Sequence, residues 1–272
     1  MWRINRTTGG VASSVVRFSR RKKTTFAGEI DQLLENARLG NLQQQGALGS
    51  PKLSMLLLHP PGACSAFTRS GSQYPPLGLT QLKALIGDTA RVDVLEADGF
   101  GLTTDETIGE IWKAAPLAVG MTVTCGTKKL TNAWSTVVKN LAPEQYRPLT
   151  IVGGPAAAFE TQSILDECPN VDVVVKGEGE VTFPTIVDVI ENRWPIDTTL
   201  EKLSAIPGVC VRQKPHMNDR KIPTLPKEAF QSLPFPDLSA SPVEKYKAPD
   251  AQRYPMVTMM TQRYVTCTTA HK

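Results

Sequence analysis

The stretch "VVVKGEGEVTF", Val173 to Phe183, decides the fold. It sets three β-branched residues before a Gly-Glu-Gly-Glu turn, and the turn before a segment whose apolar residues Phe183, Ile186, Val187 and Ile190 recur at helical spacing. A short, wholly apolar run fits a strand buried on both faces, as parallel strands are. Strand, turn and helix in this order form the repeating unit of an α/β sheet covered on both sides. In the turn, Gly177 and Gly179 supply backbone freedom, while Glu178 and Glu180 sit at the positive N-terminal end of the next helix.

Working outward, the unit recurs upstream. Strands are expected at 53–59, 91–97, 117–123, 148–154 and 171–177, with helices at about 76–87, 105–115, 127–141, 159–167 and 180–192. The third helix is the clearest, because Leu130, Ala133, Trp134, Val137, Val138 and Leu141 make one apolar stripe. In the fifth, Pro184 is expected in the first turn, where a missing N–H costs little. Five such units predict a flavodoxin-like (Rossmann-like), doubly wound, five-stranded parallel sheet with right-handed crossovers, whose ligands bind at the carboxyl ends of the strands.

The flanks differ in texture. Residues 1–28 carry seven basic residues (Arg3, Arg6, Arg17, Arg20, Arg21, Lys22, Lys23) and no acid, so removing them takes the net charge from +4 to −3. An Arg-rich, Ser/Thr-rich, acid-free leader has the composition of a transit peptide, pointing to a mitochondrion or plastid; without that role the chain is expected in the cytoplasm. The body shows no basic surface for nucleic acid. After about residue 200 the chain turns Pro-rich, with nine of its 21 prolines between 201 and 256. The expected division is a leader and linker (1–52), the α/β domain (53–200), and a β-hairpin around "IPGVCVRQKPHMNDRKIP" followed by a Pro-rich extension (201–272).

Several chemistries lose ground on the same residues. The 272-residue chain, 41% hydrophobic, holds no apolar run near the roughly 20 residues of a membrane span. Cys64, Cys125, Cys168, Cys210 and Cys267 have no C-x-x-C spacing, and His59, His216 and His271 are dispersed, so no zinc site or disulfide framework is indicated. No phosphate-binding glycine motif and no G-x-S-x-G elbow occurs. Cys125 reads as a small buried residue following a strand.

What the strand ends share is small or rigid residues. The first ends in "HPPG" and leads to "YPPLGL", the third ends in "GMTVTCGT", the fourth in "GGPAAAF" and the fifth in "KGEGEVTF". Such turns let a ligand approach the backbone closely, so the Gly-Glu-Gly-Glu turn has a second reading as part of a large ligand's pocket.

"LLLHPPG", "YPPLGLTQLKAL", "IVGGP", "VDVVVKGEGEVTFP", "IPGVCVR", "PFPDLS" and "YPMVTMMTQR", in that order, resemble the amino-terminal half of the cobalamin-binding radical S-adenosylmethionine proteins, most of all the anaerobic magnesium-protoporphyrin monomethyl ester oxidative cyclase group. The resemblance spans about residues 53 to 263. It implies a flavodoxin-like cobalamin domain followed by a barrel whose C-x-x-x-C-x-x-C cysteines hold an iron-sulfur cluster, in enzymes of oxidative cyclase or methyltransferase type. It places cobalamin against His59, Pro60, Pro61, Tyr74, Pro75, Pro76, Thr122, Thr124, Gly153, Gly154, Pro155, Gly177, Glu178, Gly179, Glu180 and Thr182.

After "MMTQR" the chain departs from that pattern, reading Tyr264, Val265, Thr266 and Cys267 and stopping at Lys272. One cysteine cannot hold a cluster that needs three. The expectation is therefore a cobalamin-binding chain that is not catalytic alone, without an iron-sulfur cluster, its barrel supplied in a full-length form or by another chain. A gene truncated by intron read-through after Gln262 accounts for this, and one spliced transcript tests it. The alternatives are a non-binding remnant or scaffold of the same fold, or a flavodoxin-like domain for another ligand. His59 and Gly62 keep the H-x-x-G spacing of cobalt-ligating domains, but Leu57 stands where an orienting Asp belongs. His59 is accordingly expected to pack near the corrin rather than bind cobalt, and no metal ligand or catalytic residue is assigned.

Overall fold

The computed structural model describes residues 52–64, 74–141, 147–213, 222, 224–246 and 252–258, with residues 28, 31 and 32 of the leader. The targeting reading of the leader, His216, the second arm of the expected hairpin and the chain around Cys267 lie outside the described residues.

The first five strands are β1 (Leu53–His59), β2 (Val92–Glu96), β3 (Pro116–Thr122), β4 (Leu149–Gly153) and β5 (Val173–Val175). The helices between them are α1 (Leu77–Ile86), α2 (Ala97–Phe100), α3 (Thr104–Ala114), α4 (Lys128–Asn140), α5 (Pro155–Phe159) and α6 (Thr161–Glu167). After β5 come α7 (Gly179–Glu191), α8 (Ile196–Ser204), the strand β6 (Val209–Val211) and the short α9 (Lys227–Gln231). The sheet order is β2-β1-β3-β4-β5-β6. The first five strands pair in parallel, with Leu57 of β1 opposite both Val94 of β2 and Gly120 of β3, and β6 pairs antiparallel with β5. Order reverses between β1 and β3, so their carboxyl ends diverge and leave a crevice.

Alternation along β1 explains the two faces. Leu56 and Leu58 pack with Val119, Ile108 and Trp134 on the side of α3 and α4, whereas Met55 and Leu57 pack with Leu79, Phe183 and Ile186 on the side of α1 and α7. The stripe expected on α4 is buried throughout, Trp134 being 1% exposed. Strand α/β alternation is thus as the sequence predicts, with one more strand than five.

One local reading is corrected and two are sharpened. Helix α7 starts at Gly179, so Pro184 lies in its second turn and not its first; the lost bond falls close to the helix start, where few partners are affected. The helix expected at about 159–167 is α6, and a separate short helix, α5, which Pro155 starts at its first position, precedes it. The first arm of the expected hairpin is β6, whose Val209, Cys210 and Val211 are at most 2% exposed against the open edge of β5.

The described parts of the Pro-rich stretch lie along the domain. The Leu225 N–H donates to a Glu178 carboxylate oxygen, Gln81 donates to the Pro234 carbonyl at 2.8 Å, and the Asp237 N–H donates to the Thr80 carbonyl at 3.1 Å. Further on, Tyr246 is wholly buried. Among the described residues no helix is long and apolar enough to cross a membrane.

Candidate functional site

At the end of β1 the chain turns sharply: the Ala63 N–H donates to the Pro60 carbonyl at 3.1 Å, and Gly62 adopts φ 84°, a conformation that favours glycine. Asp98 of α2 fixes this turn by accepting the Gly62 N–H at 2.5 Å and the Cys64 N–H at 3.2 Å. At the end of β3, Thr127 Oγ1 accepts the Thr124 N–H at 2.8 Å and opens α4. Between these two ends lies a cavity of about 360 Å³.

Of the residues expected at the site, His59, Pro60, Tyr74, Pro75, Pro76, Thr122 and Thr124 line this cavity. Pro61 lies in the turn beside it. Gly153 stands opposite Thr122 in the β3–β4 register, and a Cβ on Gly154 would come within 2.8 Å of Thr122 Cγ2, so the "GGP" turn backs the cavity wall without lining it. Pro155 follows as the first residue of α5. The Gly-Glu-Gly-Glu turn lies further along the same edge. There Gly177 is exposed at φ 84°, Gly179 lets α7 approach Leu82 of α1, where an added Cβ would meet the leucine at 3.1 Å, and Glu180 is in the first turn of α7. Glu178 holds the segment at Leu225. Thr182 is 2% exposed, and its Oγ1 has no hydrogen-bond partner among the described residues.

Sequence reasoning missed Ala63, Cys64, Thr127, Leu130, Thr131 and Thr258, which also line the cavity. Thr127 and Thr131 carried a signal, being one helical turn apart at the start of α4. Thr258 carried none, since it arrives from the far end of the Pro-rich stretch.

The largest correction concerns His59. Its Nδ1 lies 2.8 Å from Glu96 Oε1, so an orienting carboxylate is present. It comes from the neighbouring strand: the parallel register sets His59 directly opposite Glu96. Glu96 is 1% exposed; its Oε1 also accepts the Gly99 N–H at 2.9 Å, while Oε2 is buried without a hydrogen-bond partner among the described residues. Burial by itself would lower the His59 pKa, but hydrogen bonds to Cys64 and Glu96 outweigh it and push the imidazole up to about 10. Burial likewise drives the nearby Tyr246 hydroxyl above the usual phenol range.

Cys125 is exposed and not buried, because it sits in the turn past β3, with its thiol 3.1 Å from Glu160 Oε1. The hydrogen bond to Glu160 and the carboxylate's charge push this thiol's pKa up. Among the described residues no group of three or more His, Cys, Asp or Glu side chains is placed to hold a metal ion.

The family model of the B12 binding domain matches residues 65–187. The chain is 27% identical over 214 residues to an uncharacterized methyltransferase of Pyrococcus horikoshii, covering 78% of this chain and 43% of that protein. It is 24% identical over 184 residues to the anaerobic magnesium-protoporphyrin IX monomethyl ester cyclase of Synechocystis, covering 66% and 34%. It thus spans less than half the length of both relatives. Among solved structures it is similar to OxsB, a cobalamin-dependent S-adenosylmethionine radical enzyme, with 16% identity over 68% of this chain and 24% of that one and a TM-score of 0.49.

Cobalamin, the cofactor of the B12-binding domain, fits the residues present. The strand-end glycines keep side chains off the carboxyl edge at β4 and β5, threonine hydroxyls line the cavity beside them, and the orphaned Thr182 hydroxyl offers a buried polar contact at that edge. His59 is held on one side by Glu96 and also bonds Cys64, so the ring is committed to protein partners.

Proposed function

We propose that this chain is the cobalamin-holding part of a radical S-adenosylmethionine enzyme and performs no chemistry alone. The observation that carries this is the cavity's position at the point where the strand order reverses. Its volume of about 360 Å³ is near the lower end of ligand sites, roughly 300 to 1,000 Å³, so it accommodates one part of cobalamin while the rest lies across the strand-end turns. In this reading Pro60, Tyr74, Pro75 and Thr124 bound the enclosed part, Gly153, Gly154 and Gly177 leave room for the corrin, and Thr182 donates or accepts a hydrogen bond at the edge. Bound cobalamin supplies a cobalt centre for group or electron transfer. A barrel carrying an iron-sulfur cluster, in a longer form or on another chain, supplies the radical step, in a reaction of cyclase or methyltransferase type.

The test is an ultraviolet-visible titration of the full chain with hydroxocobalamin, followed by desalting. Retained corrin bands in the wild type, lost in Thr124→Trp and Gly177→Trp, support the reading and its two contact regions. No retention by folded protein overturns it in favour of a remnant of the same fold. The leader is read as a transit peptide, and a fluorescent fusion that stays in the cytoplasm refutes that reading.

A further inference from the structure

One wall of the cavity brings together a thiol, an imidazole and a buried carboxylate. Glu96 receives the His59 ring at 2.8 Å, and Cys64 lines the same cavity as that ring. Cys64 is positioned independently of that contact: Asp98 Oδ2 accepts its N–H, the Tyr74 carbonyl lies 3.9 Å from its sulfur, and it forms no disulfide. Glu96 is almost wholly buried, and among the described residues its Oε2 has no hydrogen-bond partner, so the imidazole is the cation that faces it. Both oxygens of Asp98 accept backbone N–H groups, from Gly62 and Cys64.

An imidazole held by a buried carboxylate on the same cavity wall as a thiol is the arrangement that makes a thiol nucleophilic. We propose that Cys64 is an activated thiol on the cavity wall, held by the His59–Glu96 pair, and that it takes small disulfides to form a mixed disulfide. In the exchange the Cys64 thiolate forms a bond to one sulfur of the disulfide, the disulfide's own bond breaks, and the departing thiolate takes a proton from the His59 imidazolium, which solvent restores. The cavity restricts the partner to low molecular weight. Cys64 and His59 line the same cavity that the proposed function fills with part of cobalamin, so the exchange belongs to the cobalamin-free chain and is measured without the cofactor.

Cys125 is the internal control, being fully exposed to solvent but facing the Glu160 carboxylate with no imidazole. The full chain is treated with glutathione disulfide near neutral pH, and each cysteine peptide is followed by mass spectrometry. Cys64 is expected to react about tenfold faster than Cys125, and His59→Gln to slow Cys64 about tenfold with Cys125 unchanged. Glu96→Gln slows Cys64 in the same direction. Protection of the buried Cys168 and Cys210 reports that each variant is folded; if a variant is not, the wild-type ratio of Cys64 to Cys125 decides alone. A wild-type Cys64 no faster than Cys125, or one unaffected in both folded variants, overturns the proposal.

Discussion

At His59, burial and charge pull in opposite directions, and the outcome sets a pH dependence. The imidazole titrates near 6.5 in the unfolded chain and at about 10 in the folded one, because Cys64 and Glu96 hold the charged form. A raised pKa means the folded state binds the proton more tightly, so this stabilisation is complete below pH about 6.5 and is lost as pH rises towards 10. The wild-type melting temperature should therefore fall across that window, and His59→Gln should flatten the fall; parallel curves would show that the pair does not hold the proton. A glycine pair makes a second prediction at this scale. Gly154 has φ 109°, and an added Cβ would lie 2.8 Å from Thr122 Cγ2 and 3.0 Å from the Val123 carbonyl oxygen. Gly154→Ala should cost about 1 to 3 kcal/mol in urea unfolding. Gly78, in α1 with nothing within 4 Å of an added Cβ, should tolerate alanine or gain about 0.5 to 1 kcal/mol.

Among elements, the sixth strand depends most on a single side chain. β6 has three residues, and Arg212 directly after it donates to the Val171, Leu165 and Cys168 carbonyls at 2.6 to 2.8 Å, closing the end of α6 and the loop before β5. Charged donors to backbone contribute about 1.5 to 3 kcal/mol, so Arg212→Ala should lower stability by about that much. Arg212→Lys should recover only part, since one ammonium cannot reach three carbonyls in a plane; full recovery in a chemical denaturation series would refute the fork. The same strand marks what was legible. β1 was predicted at 53–59 and is found there, because seven residues with a continuous apolar run have one reading in a parallel sheet. Three apolar residues such as those of β6 do not reveal in sequence that their strand pairs across the sheet with β5. The split at Glu160 was hidden for a related reason: both halves of the 155–167 stretch favour helix, and only the Pro155 start shows that the first began early.

Across the whole molecule, the site's location was legible and its composition was not. Parallel order forces ligands to the carboxyl edge, and half of the cavity residues could be read from strand-end turns. The pairing of His59 with Glu96 required the register of two strands, and the arrival of Thr258 at the cavity required the path of the Pro-rich stretch. That path makes the last prediction. Tyr246 is fully exposed to none of the solvent, and its ring comes within 3.0 Å of where a Gly99 Cβ would stand, beside Glu96. If residues 224–258 belong to the cooperative unit, Tyr246→Ala should cost about 3 to 5 kcal/mol, as other aromatic-to-alanine changes in cores do. Tyr246→Phe should stay within about 1 kcal/mol, because its hydroxyl makes no well-formed hydrogen bond among the described residues. Both are read from intrinsic tryptophan fluorescence, to which Trp134 in the core on the opposite side of the sheet from α1 contributes, so a shifted midpoint reports coupling through the domain. An unchanged midpoint in Tyr246→Ala would make the stretch a passenger on a domain that ends at β6, and Thr258 would then be no part of a stable cavity wall.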